Sequence, residues 1–174
     1  MAAQVKRAKD ARGNEQSMHG QSPDLMDFET ESEFTGYTDR TCKGKVIGLF
    51  KDGVRTDAVA DEGDVILSET CFYAESGGQI CDTGCLWTDG FKADVTEVKK
   101  APHAQHLHHI VVKEGTLKLG DTVEGSYDFE RREKTRASHS SLHLLQAALR
   151  QVLGTHVEQA GSYVDELRGR LDFT

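Results

Sequence analysis

Between Phe34 and Asp128 the chain is a succession of short β-rich runs, each closed by glycine or aspartate and none longer than a single strand. Gly44–Phe50 leads into Lys51-Asp52-Gly53, a turn sequence, and Asp64–Leu67, Ala93–Val98, His109–Val112 and Asp121–Tyr127 follow. Turn signals at this spacing predict six or seven antiparallel strands in a small β-barrel or sandwich, and a barrel leaves no open edge. At Glu130 the period changes. Leu142, Leu145, Leu149 and Val152 recur at helical spacing, which predicts one amphipathic helix over 130–153, ended by Gly154. Two further strands are expected at His156–Val164 and Arg170–Phe173, with a bulge or turn at Gly161 and a turn at Asp165-Glu166. The expected fold class is mostly β with an α+β C-terminal part. Residues 1–27 read as a polar linker or helix tail, 28–129 as the β-barrel, and 130–174 as a helix plus two strands whose sheet face has little to cover it.

Charge and cysteine usage narrow the function. The 174 residues carry 29 acidic and 21 basic side chains, a formal charge of -8, which argues against coating nucleic acid by bulk electrostatics. The basic residues are uneven: Arg131, Arg132, Lys134 and Arg136 crowd six positions with only Glu133 opposing, so any RNA contact is expected there, and the pattern by itself reads first as a solvated first helical turn. No apolar run reaches the roughly 18 residues of a membrane span, and the first residues lack the apolar core of a signal peptide, so no membrane partner and a cytoplasmic setting are expected. Cys42, Cys71, Cys81 and Cys85 include no Cys-x-x-Cys pair and read as free, buried or half-buried thiols.

Three constellations can carry chemistry. His139-x-x-x-His143 places two imidazoles on one helical face, one turn apart, where both can reach a metal ion. That face lies roughly 120° from the leucine stripe, outside the main core. Two histidines are half of a zinc site, and the same spacing also arises without a ligand. The position after His139 is not acidic, which excludes the His-Glu-x-x-His metalloprotease pattern. Ser76-Gly77-Gly78-Gln79 reads either as a glycine-freed close approach to a ligand or as a bulged hairpin turn. His103, His106, His108 and His109 are expected to be solvated.

Phe34-Thr35-Gly36-Tyr37, Phe72-Tyr73-Ala74-Glu75-Ser76-Gly77-Gly78-Gln79, Asp82-Thr83-Gly84, Gly120-Asp121-Thr122-Val123, His139-Ser140-Ser141-Leu142-His143 and Gly154–Ser162 occur in an order and spacing that resembles the middle of bacterial alanyl-tRNA synthetases over about residues 28–173. The resemblance implies a β-barrel followed by the first, incomplete part of the editing domain that hydrolyses seryl- or glycyl-tRNA mischarged for alanine. It implies zinc at His139 and His143 with a Cys and a His supplied further along, catalytic or pocket roles for Gln159 and Ser162, and substrate contact by Gly77, Gly78 and Gln79. Arg131, Arg132 and Arg136 would then face tRNA phosphates. Its other implications are alanine-specific tRNA and the remainder of the synthetase chain as partners, no DNA, and ATP and magnesium only in the full-length enzyme. Leu142 stands where that family carries Thr. The Cys and His that the resemblance places further along are not among these residues, so this chain alone is expected to be silent or nearly so. Two rivals stand beside it: a non-catalytic tRNA-binding or spacer module, and a small hydrolase that takes Cys81 or Cys85 as a zinc ligand.

Overall fold

The computed structural model describes residues 22–174; of the polar linker or helix tail expected over 1–27, residues 1–21 lie outside them. In chain order its elements are α1 (Pro23–Met26), β1 (Glu33–Phe34), β2 (Thr41–Lys51), β3 (Val54–Arg55), β4 (Ala58–Val59), β5 (Glu62–Leu67), β6 (Glu69–Thr70), β7 (Gly84–Thr88), β8 (Phe91–Lys100), β9 (His106–Glu114), β10 (Leu117–Lys118), β11 (Thr122–Tyr127), α2 (Phe129–Leu153), β12 (Gln159–Val164) and β13 (Gly169–Phe173).

Six strands close a barrel. The antiparallel order is β11-β7-β8-β9-β5-β2, and β11 pairs back onto β2 with Thr122 opposite Lys45 and Ser126 opposite Thr41. Closure rather than a sandwich follows from strand length. β2 runs eleven residues, long enough to pair with β11 along its first half and with β5 along its second, and a register shift between Val46 and Gly48 marks the handover. The interior is filled by fully buried Leu49, Val65, Leu67, Phe72, Leu86 and Ile110.

β5 is buried from Gly63 to Leu67 on both faces, so it does not alternate. A second apolar cluster covers its outer side: Leu25 and Phe28 pack with Phe50, Ile66, Ala101 and Leu107, and the Phe28 and Phe50 rings meet edge-on at 5.9 Å. β7, a strand the sequence pattern does not announce, sits so close to β11 that a Cβ on Gly84 would lie 2.1 Å from the Ser126 carbonyl oxygen; only glycine fits there.

Asp128 caps α2 by accepting from the Arg131 amide at 3.0 Å, and the Gly154 amide closes the last turn onto the Arg150 carbonyl. The first turn is bolted to the barrel by Arg132, which is 7% exposed. Its Nε donates to both carboxylate oxygens of Asp82 at 2.8 Å, its terminal nitrogens reach Asp82 and the Gly36 and Cys71 carbonyls, and its plane lies 3.8 Å over the Tyr127 ring. Farther along, the expected apolar stripe is not a buried stripe. Leu142 is buried over Gly169 of β13, whereas Leu145 and Val152 are 47% and 81% exposed, because the helix packs chiefly on a two-stranded hairpin too narrow to cover them. In that hairpin β12 pairs antiparallel with β13, and its register shift between Gln159 and Gly161 is the bulge signalled by the glycine.

Candidate functional site

The Ser76–Gln79 segment is a tight turn, the second of the two readings its sequence allows. Ser76 and Gln79 exchange backbone hydrogen bonds of 3.0 and 3.2 Å, with φ of 60° at Gly77 and 84° at Gly78. The same turn docks on β12: the Val164 amide donates to the Gly78 carbonyl at 2.8 Å, and the Ile80 amide donates to the Val164 carbonyl at 3.0 Å. A Cβ on Gly78 would stand 2.3 Å from the Ser162 carbonyl oxygen, whereas one on Gly77 would meet nothing within 4 Å. Close approach therefore requires the second glycine, and the left-handed backbone favours both.

Three elements converge on one cavity. From α2 come His139 and His143, whose rings stack 5.0 Å apart at 23°, one helical turn from each other. From the turn comes Gln79, 7% exposed, with its side-chain oxygen 2.5 Å from His139 Nδ1. An amide oxygen only accepts, so Nδ1 is the donor in this contact. From β12 come Ser162, which donates to the Gly77 carbonyl at 3.2 Å, and Gln159, which donates to Ser162 Oγ at 3.1 Å. His139, His143, Gln159 and Ser162 border a cavity of about 260 Å³ with Gly77 at its rim and Leu142, Gln146, Val164 and Leu171 completing the wall, while Gln79 stands behind His139. That is below the roughly 300–1,000 Å³ of sites for drug-sized ligands, and suits an amino-acid-sized group better than a nucleoside. No carboxylate lines it among the described residues. Gln146, three positions after His143, shares the histidine face by helical spacing; Leu171 carries no sequence signal.

His139 and His143 fit half of a zinc donor set. Each has an imidazole available, and the Gln79 bond to His139 Nδ1 is the kind of outer contact that orients a metal-binding histidine. Among the described residues no His, Cys, Asp or Glu joins them to make a group of three. The cysteines are free; Cys42, Cys71 and Cys81 are buried and Cys85 is half-buried. Burial pushes the Cys81 thiol up, away from the thiolate that a metal needs.

The basic cluster divides. Arg132 is spent on Asp82, and its guanidinium is not on the surface. Arg131 donates to the Cys81 carbonyl at 2.7 Å and pairs with Glu166 at 3.4 Å. Arg136, with a side chain 66% exposed, remains outside with Glu133 at 2.7 Å. The expectation of solvated histidines around Pro102 is corrected at two positions. His106 and His108 are 3% and 0% exposed, because β9 begins at His106 and turns both rings inward. His108 lies between Thr70 Oγ1 at 2.7 Å and the Val65 carbonyl at 3.0 Å, and burial holds its pKa down to about 4; His106 stacks on Phe34 and is held down to about 3.

Among the described residues no helix is long and apolar enough to cross a membrane. A family model described as tRNA synthetases class II (A) matches residues 1–131. Alanine–tRNA ligases of Bacillus anthracis and Listeria innocua are 46% and 44% identical to the chain over 176 aligned positions, covering all of it and 20% of each relative. The chain thus spans about a fifth of the length of the curated relatives it matches; it belongs to the class II (A) tRNA synthetase family, and over its whole length it is similar to a segment of alanine–tRNA ligases.

Proposed function

We propose that this chain is the segment of a cytoplasmic alanine–tRNA ligase that takes part in editing, the hydrolysis of the ester in seryl- or glycyl-tRNA mischarged for alanine. The supporting observation is the convergence of His139, His143, Gln159, Ser162 and Gly77 on one small cavity. His139 and His143 would hold a zinc ion with further ligands from elsewhere in the longer enzyme, and zinc supplies Lewis-acid polarisation of an ester carbonyl and a bound water that ionises near neutrality. The chain's own groups do the selection. Gln159 and Ser162 bond to each other and to the Gly77 carbonyl, which leaves the Gln159 Oε1 and the second lone pair of Ser162 Oγ to accept from a seryl hydroxyl; an alanyl methyl offers them no donor. Leu142, Val164 and Leu171 form the apolar wall that limits side-chain size. Arg136 and Lys134 are the members of the basic cluster left on the surface to meet a tRNA phosphate, while ATP and magnesium serve the ligation step of the longer enzyme. Two histidines fill two of four tetrahedral positions, so this chain alone hydrolyses little.

The test is deacylation of seryl-tRNA and alanyl-tRNA by the full-length ligase, with zinc counted per chain. His139→Ala and His143→Ala should each lose zinc and seryl-tRNA hydrolysis while sparing alanine activation. Full hydrolysis in either variant would refute the reading, and tRNA binding with no zinc at all would favour the spacer module.

A further inference from the structure

Gln79 was expected to touch substrate. Its placement argues for another role. It is 7% exposed, it lies 60 residues before His139, and its side-chain oxygen is engaged by His139 Nδ1 at 2.5 Å. The turn that carries it cannot slide, because the Gly78 carbonyl and the Ile80 amide are both bonded to Val164 of β12. Ser162 Oγ adds a third tie, to the Gly77 carbonyl. The acceptor is thus held by the barrel side of the cavity and the imidazole by the helix side.

We propose that Gln79 is a positioning residue: it fixes His139 as the Nδ1–H tautomer and holds the ring so that the Nε2 lone pair is the one offered to a metal. The inference rests on the reading of His139 as a zinc ligand. A neutral imidazole has one donor and one acceptor nitrogen, and only the acceptor can coordinate. Without the amide, His139 divides its time between two tautomers and several ring orientations, and both losses fall on metal affinity. Outer contacts of this kind are worth about 10–100-fold in affinity.

The experiment is long-range proton–nitrogen NMR on the chain labelled at histidine, run above the pH at which His139 is neutral, without metal and then through a titration with zinc chloride. Wild type should show His139 with a protonated Nδ1 and a lone-pair Nε2. Gln79→Leu, close in volume, should give a tautomer mixture and weaken zinc binding by about 10–100-fold. Gln79→Glu keeps the acceptor and should keep the tautomer. If Gln79→Leu fails to fold, Gln79→Asn withdraws the oxygen by one methylene and makes the same prediction. A wild-type His139 protonated at Nε2 would mean that the amide points the other way and would overturn the proposal, as would a tautomer that survives Gln79→Leu. Should the tautomer behave as expected while zinc leaves the His139 and His143 nitrogens unmoved, Gln79 positions the ring as proposed and the metal reading is what fails.

Discussion

Removing the Arg132 guanidinium tests whether the helix and the barrel are one cooperative body. Arg132→Met keeps the aliphatic stem but leaves Asp82 buried, 5% exposed, with the Tyr73 amide at 2.8 Å as the one remaining donor to its carboxylate among the described residues. The Gly36 and Cys71 carbonyls lose their side-chain donor as well. Breaking one side of a buried ion pair costs about 3–5 kcal/mol. For a chain of this size, unfolding entropy scales so that this cost lowers Tm by roughly 8–14 °C. The loss should appear in far-ultraviolet circular dichroism and in urea denaturation as a lower midpoint. The double variant Arg132→Met with Asp82→Leu should recover most of it, since an apolar pair leaves no stranded charge. A single variant within about 1 kcal/mol of wild type would refute the reasoning, because it would mean that Asp82 reaches water or a proton without opening the barrel.

Three further outcomes are expected. Burial keeps His108 neutral down to about pH 4 against an ordinary value near 6.5, so the unfolded chain binds a proton that the folded one refuses; stability falls as pH drops through that window, by roughly 3 kcal/mol, and is fully present above it. His108→Gln should flatten the denaturation midpoint against pH by about one proton there, and an unchanged slope would assign the effect elsewhere. Gly77→Ala should cost about 1 kcal/mol for its backbone alone, whereas Gly78→Ala, which drives a methyl into the Ser162 carbonyl, should cost roughly 3 kcal/mol; equal losses in thermal melts would contradict the geometry. Cys81→Ala and Cys85→Ala should leave zinc affinity in a chelator competition untouched, and a drop in either would revive the complete small hydrolase.

Much of the barrel was legible because β-rich runs ended by glycine or aspartate are a local signal, and the histidine helix announced both its period and its stop at Gly154. What escaped was set by distant partners. β7 is short and its Gly84 reads as a turn residue until Ser126 is brought beside it. Arg132 looks like its neighbours Arg131 and Lys134 in a charge run, and only a buried aspartate fifty positions earlier distinguishes it. His106 and His108 look solvated until their strand closes against β5. For the site, the histidine pair, Gln159 and Ser162 were all nameable in advance, yet the partner of His139 was not, since nothing local ties Gln79 to a helix sixty residues later.

The docking of the glycine turn on β12 bears on inheritance. A helix and hairpin copied into another gene would bring both histidines, Gln159 and Ser162, but would leave Gln79 behind with the barrel. Any working transplant must therefore carry the loop as well, or reinvent it. Barrel and hairpin would then be expected to travel through gene fusion and fission as a pair, with the cut points falling outside the stretch from Thr41 to Phe173.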